Sequence, residues 1–203
     1  MARESDGFLD WDNCIHFYDL FISWRSNNGK DTNLHSALHS DYFGPSAYVG
    51  TIYCDSINGG DAMEIIDLSG GIVMEELKEM IKEYYKHAKE VMGFDQPARV
   101  VLRHNESNAA NVLGRTGEYD PAKKKIIVYV TGRHPKDIMR SFSHELVHHT
   151  QNCRGDFAEA KMREHGYAQK DKHLREMERE AYEQGNLVFR DWEDGIKYGS
   201  KQK

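Results

Sequence analysis

The most constraining feature of this chain is one short stretch, residues 141–151, which reads SFSHELVHHTQ and contains an HExxH pattern. On an α-helix, residues four apart lie one above the other on the same face, so His144 and His148 can offer two imidazole nitrogens to one metal ion. Glu145 follows the first histidine, and its carboxylate can accept a proton from a water molecule that the metal activates. The pattern therefore predicts a helix that carries two metal ligands and a neighbouring base.

The residues around the motif favour a helix with one buried face. Pro135 suits the first turn of a helix, and an apolar stripe follows at helical spacing. The stripe consists of Ile138, Phe142, Leu146 and His149. At about 100° per residue, His144 and His148 project roughly 200° away from Phe142. We expect the back of the helix to be buried and the two histidines to face a cleft; the alternative is a pair of histidines on a solvated helix face.

Charge and hydropathy limit the partners. The net charge of the 203-residue chain is -6, so there is no basic field that would attract nucleic acid. The N-terminus lacks the apolar run of a signal peptide, and no stretch approaches the ~20 apolar residues of a membrane span. We therefore expect a cytoplasmic protein that binds neither nucleic acid nor membranes.

The three cysteines, Cys14, Cys54 and Cys153, are far apart and do not form a CxxC pair. This spacing argues against a disulfide framework and against a thiolate zinc site, so we expect reduced thiols. An alternative for Cys54 is an inhibitory ligand placed over the metal.

Apolar periodicity divides the chain into an N-terminal segment, residues 1–70, and a domain, residues 71–203. In the segment we predict a buried helix within residues 8–25, a polar loop, and a hairpin of two strands at residues 48–54 and 63–68. The sequence does not reveal the role of this segment. We expect it to pack on the domain and to cover part of the cleft.

The domain has the pattern of an α+β fold, a small mixed sheet with a support helix, the HExxH helix and a C-terminal helix. The predicted elements before the HExxH helix are a helix at residues 75–92 and strands at residues 98–103, 117–119 and 126–130.

A catalytic zinc site takes three protein ligands and leaves its fourth position to water. The pattern HExxHxxGxxH is excluded, because Gln151 and Arg154 occupy its glycine and third-histidine positions. On the C-terminal helix, Glu178 falls about 40° from Leu174 on the apolar face, whereas Glu180 falls on the polar face. An unpaired carboxylate on an apolar face is costly, so we predict that Glu178 binds the cation. A salt bridge to a neighbouring Arg or Lys is the alternative.

The order of the elements and the spacing from Glu178 to Ala181, an ExxA form, resemble the minimal core of gluzincin-type zincin metallopeptidases. The resemblance covers roughly residues 72–193. It implies a zincin-like fold in which His144, His148 and Glu178 hold one Zn²⁺. It also implies that Glu145 acts as the general base in peptide-bond hydrolysis.

The resemblance assigns a role to one strand as well. Gly117, Glu118 and Tyr119 match the rim strand of the family in position, and the main chain of that strand pairs with an extended peptide or protein substrate. The alternative is an ordinary edge strand.

The third ligand and the oxyanion donor have rivals. Spartan-like (SprT-type) proteases carry a histidine followed by glycine at a similar distance after HExxH, and His165 fits that place. Candidate oxyanion donors are Tyr182, His173 and Tyr167, of which Tyr182, one turn after Glu178, is favoured. A fourth protein ligand such as His173 would instead indicate a zincin-like protein that binds zinc or a partner without catalysis.

Overall fold

The computed structural model describes residues 63–71, 73, 75–157 and 172–199, together with the main chain of a short strand, Ile52–Cys54. The helix predicted within residues 8–25 lies outside the described residues, as do Cys14, His165 and Tyr167. Within the described part, the fold is α+β, as the sequence predicted.

Nine elements follow one another in this part of the chain. They are strand β1 (Ile52–Cys54), strand β2 (Glu64–Leu68), helix α1 (Glu75–Met92), strand β3 (Arg99–Arg103), short helix α2 (Glu106–Ala109), strand β4 (Gly117–Asp120), strand β5 (Lys125–Tyr129), helix α3 (Pro135–Cys153) and helix α4 (Lys172–Tyr198). The HExxH motif lies in α3, which begins with the predicted Pro135 after the N-cap residue His134.

The five strands form one mixed sheet in the order β1-β2-β3-β5-β4. Strands β2, β3 and β5 run parallel, while β1 and β4 are antiparallel to their neighbours. The apolar runs of β3 and β5 are buried on both faces, which is typical of parallel strands inside a sheet. Strand β4 forms one edge, so its outer side has no strand partner among the described residues.

The sheet includes strands from both sides of the predicted domain boundary. Strand β1 pairs antiparallel with β2, with Ile52 opposite Ile66, in agreement with the predicted hairpin. Strand β2 in turn pairs with β3, with Ile66 opposite Val101. The predicted division after residue 70 therefore separates strands of one sheet, because main-chain hydrogen bonds between β2 and β3 cross it.

The three long helices meet in one apolar core that also takes side chains from β3 and β5. The ring of Tyr84 on α1 lies edge-on to Phe142 of α3, with 6.1 Å between ring centroids. It contacts Phe189 and Trp192 of α4 at 5.6 and 5.2 Å. The predicted apolar stripe of α3 is buried here, which leaves the opposite face of α3 for the histidines of the motif.

Helices α3 and α4 approach closely at Gly185. A β-carbon at this position would lie 3.1 Å from the Cα atom and from the main-chain nitrogen of His144. The hydroxyl of Ser143 donates a hydrogen bond to the carbonyl of Gly185 at 2.7 Å and accepts one from Tyr84, so a hydrogen-bonded chain crosses all three long helices. Because Gly185 follows Glu178 by about two turns, this contact determines how far Glu178 lies from His144.

We expect Gly185→Ala to lower the free energy of unfolding, because the added methyl group meets the main chain of α3 and not a movable side chain. Overpacking costs about 1–3 kcal/mol and typically exceeds the ~1 kcal/mol that alanine gains over glycine in a helix. Urea unfolding measures the difference. The control is Gly195→Ala on the same helix, where no atom lies within 4 Å of the added carbon. Stabilisation by both substitutions would contradict the close packing.

Candidate metal centre

Three side chains from α3 and α4 converge on one point. His144 and His148 lie on adjacent turns of α3, and their Nε2 atoms are 3.1 Å apart. Glu178 of α4 faces both rings, with Oε2 3.5 Å from Nε2 of His144 and Oε1 3.7 Å from Nε2 of His148. The structure therefore brings together the three ligands predicted from the sequence, and they can hold a metal ion.

The distances between these atoms suit a tetrahedral ion. Zinc bonds of about 2.0–2.2 Å at the tetrahedral angle hold ligand atoms roughly 3.3–3.6 Å apart. The Nε2 atoms of the two histidines are 3.1 Å apart, and they lie 3.5 and 3.7 Å from the two different carboxylate oxygens of Glu178, which is close to this range. Two imidazole nitrogens and one carboxylate oxygen are also a donor set that binds catalytic zinc in proteins. In the part of the chain that the structure describes, this is the one group of three or more His, Cys, Asp or Glu side chains that converges in this way.

Glu145 lies beside the cluster and is only 6% exposed. Burial raises the pKa of its carboxyl group, and the neighbouring imidazoles of His148 and His144 oppose this rise without cancelling it. For His148, burial lowers the pKa, but the contact with Glu178 and the charge of Glu145 raise it further than burial lowers it. A proton therefore competes with a metal ion for His148, so metal affinity should fall as the pH falls.

The edge strand β4 borders Glu145. A β-carbon at Gly117 would lie 2.6 Å from Oε1 of Glu145 and 2.9 Å from its Cγ atom. The carboxylate thus occupies the space that any larger side chain at position 117 would need. The sequence predicted a substrate-binding role for the main chain of Gly117, but it gave no sign of this contact with the base.

The side chains of the other two predicted substrate-binding residues point to opposite faces of β4. Tyr119 reaches the back of α3, where its hydroxyl is 3.1 Å from Nδ1 of His149 and accepts a hydrogen bond from Asn152 at 2.8 Å. Glu118 forms an ion pair with Arg115 at 2.6 Å. Neither side chain belongs to the cluster of proposed metal ligands, and the substrate-binding role of the strand stays a prediction.

Tyr182, the predicted oxyanion donor, lies next to the cluster. Its ring centroid is 4.6 Å from that of His144, and the side chain is 64% exposed. His173 is outside the cluster, because its Nε2 atom is 3.0 Å from the main-chain oxygen of Asp156. Tyr167 and the rival ligand His165 lie outside the described residues.

A contact behind His148 was not predicted from the sequence. Oε1 of Gln151 is 2.8 Å from Nδ1 of His148, and Nε2 of Gln151 donates a hydrogen bond to Glu180 at 2.9 Å. In the sequence, Gln151 was used only to exclude the pattern HExxHxxGxxH. Glu180 was predicted to lie on the polar face of the C-terminal helix. Helical spacing was the signal for Gln151, because residues three apart on a helix are neighbours.

Comparisons with known proteins assign no family to this chain. No protein-family model matches the sequence, and no curated protein or solved structure matches it either. None of the helices in the described part of the chain is both long and apolar enough to cross a membrane. The functional argument therefore depends on the geometry of the site.

We expect Glu178→Ala to weaken zinc binding at least tenfold, because it removes one of three protein ligands. Competition with a chromophoric chelator measures the affinity. The matched control is Glu176→Ala on the same helix, since Glu176 is exposed and pairs with Arg179 at 2.7 Å. His165→Ala should leave the affinity nearly unchanged. A tight site in Glu178→Ala together with a weak site in His165→Ala would contradict our ligand assignment and favour the Spartan-like alternative.

Proposed function

We propose that this chain is a zinc-dependent metallopeptidase with a zincin-like fold of the gluzincin type. The observation that carries the proposal is the convergence of His144, His148 and Glu178 beside the buried carboxyl group of Glu145. The order of the elements supports it, since an edge strand, an inner strand, the HExxH helix and a ligand-bearing helix follow one another along the chain.

Zinc suits this donor set of two imidazoles and one carboxylate. When bound, zinc lowers the pKa of water toward neutrality and polarises the carbonyl group of a substrate. The cluster has three members in the described part of the chain, the number of protein ligands that a catalytic zinc site uses. A structural zinc site would instead take four protein ligands.

Glu145 is the residue that moves protons in the proposed reaction. Its carboxylate accepts a proton from water while the water oxygen forms a bond to the carbonyl carbon of the substrate. Glu145 then donates that proton to the nitrogen of the leaving amine as the C–N bond breaks.

Strand β4 is the proposed binding site for the substrate main chain. It lies at the edge of the sheet, and Gly117 at its start is adjacent to Glu145. A peptide in an extended conformation can add to such an edge through main-chain hydrogen bonds, which do not depend on the side chains of the peptide. This mode supports a peptide or protein substrate and places the scissile bond close to the base. For the oxyanion, Tyr182 beside His144 is the candidate donor.

We expect Glu145→Gln to retain about one zinc per chain but to reduce hydrolysis of an unfolded test protein by about 10²–10⁴-fold, because it removes the base and no ligand. Elemental analysis gives the zinc content, and proteolysis with and without a chelator gives the metal-dependent activity. Loss of zinc in this variant would mean that Glu145 is itself a ligand. A wild-type protein that binds zinc and hydrolyses nothing would favour the non-catalytic alternative.

We also expect Gly117→Ala to impair hydrolysis while zinc affinity stays within about twofold of wild type. The added methyl group displaces the carboxylate of Glu145, whereas it touches no ligand. Acid–base catalysis contributes a rate enhancement of about 10²–10⁴-fold, and a misplaced base loses part of it. We therefore expect hydrolysis to fall by roughly tenfold or more. Gly195→Ala is the control for a glycine-to-alanine change. Full activity in Gly117→Ala would show that Glu145 does not need its observed position.

A further inference from the structure

Gln151 lies between two of the proposed metal ligands. Its side chain is fully buried, and Oε1 is 2.8 Å from Nδ1 of His148. Its Nε2 atom donates hydrogen bonds to the main-chain oxygen of Met177 and to Oε2 of Glu180, both at 2.9 Å. Met177 is the residue before Glu178. One buried amide group therefore connects the imidazole of one ligand to the helical turn that carries another.

The partners of Gln151 determine how its amide group is oriented. The carbonyl of Met177 and the carboxylate of Glu180 accept hydrogen bonds, so the amide nitrogen must face them. The amide oxygen then faces Nδ1 of His148. Because an amide oxygen can only accept a hydrogen bond, Nδ1 of His148 must carry the hydrogen. In the neutral ring the lone pair is consequently on Nε2, which is the atom that lies next to His144 and Glu178 and could bind the metal.

Glu180 is held in turn by Arg154, the C-cap residue of α3. The two terminal nitrogens of Arg154 donate to the two carboxylate oxygens of Glu180 at 2.8 and 2.7 Å. Such a two-point contact fixes the plane of the carboxylate. Both side chains are partly exposed, so the pair contributes little to stability in water, but it fixes the acceptor that orients Gln151.

We propose that Gln151 is a positioning residue for the metal site, an inference that rests on the proposed function only in that His148 and Glu178 bind a divalent metal. Gln151 holds His148 in the tautomer that presents Nε2 to the metal. It also fastens the turn of α4 that bears Glu178 to the same ring. Removing a hydrogen-bond partner behind a metal-ligating histidine typically lowers metal affinity by about 10–100-fold.

The tautomer of His148 is the first test, and it needs neither metal nor catalysis. Long-range ¹H–¹⁵N NMR spectra of the metal-free wild-type protein, recorded at a pH where His148 is neutral, distinguish a protonated Nδ1 from a protonated Nε2. We expect the hydrogen on Nδ1. A hydrogen on Nε2 would overturn the role of Gln151, whether or not the protein proves to be a peptidase.

Zinc affinity is the second test. We expect Gln151→Leu to weaken zinc binding by about 10–100-fold, measured by chelator competition on protein whose fold is checked by circular dichroism. The control is Asn152→Leu, which likewise removes a side-chain amide of α3. The amide of Asn152 donates hydrogen bonds to Tyr119 and Pro121 and contacts no proposed metal ligand. We expect its affinity to stay within about twofold of wild type.

The outcomes separate the two proposals. Wild-type affinity in Gln151→Leu overturns the positioning role and leaves the metallopeptidase proposal intact. Equal losses in Gln151→Leu and Asn152→Leu also overturn it, since the effect would then be a general loosening of α3. A wild-type protein that binds no zinc, although NMR finds the hydrogen on Nδ1 of His148, overturns the metal site itself.

Discussion

The packing of α3 against α4 at Gly185 determines whether the three proposed ligands meet. Helix α3 supplies two of them through the spacing of its own turns, but Glu178 lies on a different helix. The absence of a side chain at Gly185 lets the main chain of α4 approach that of His144. The polar groups buried by this approach are satisfied, because Ser143 connects the carbonyl of Gly185 to the hydroxyl of Tyr84. Close packing and a satisfied hydrogen-bond chain thus bring the third ligand to the first two.

On the side of α3 away from the proposed metal ligands, His149 fixes the position of the edge strand β4. His149 is fully buried, and its Nε2 atom donates a hydrogen bond to the carbonyl of Gln96 at 2.8 Å. Its Nδ1 atom is then free to accept from the hydroxyl of Tyr119. Burial lowers the pKa of His149, which favours the neutral ring that this arrangement requires. Because Tyr119 belongs to β4, this contact holds the strand against α3 and places Gly117 beside Glu145.

Two neighbouring histidines of one helix therefore have unrelated tasks. His148 and His149 are adjacent in the sequence, but successive residues project about 100° apart on a helix. One ring faces the cluster with Glu178, and the other lies in the core behind it. The polar networks differ accordingly: Gln151 contacts the first ring and Tyr119 the second.

In the described part of the chain, the sequence by itself determined the long helices, the strands and the helix face of each proposed ligand, although not the short helix α2. The range Glu75–Met92, the start of α3 at Pro135 and the inward direction of Glu178 all follow from periodicity along one element. Only the tertiary structure decided the pairing of β2 with β3 across residue 70, the contact of Gly117 with Glu145 and the approach of α4 at Gly185. The physical reason is that periodicity defines a direction around the axis of one helix or strand. Distances between elements depend on how side chains from distant parts of the chain pack together.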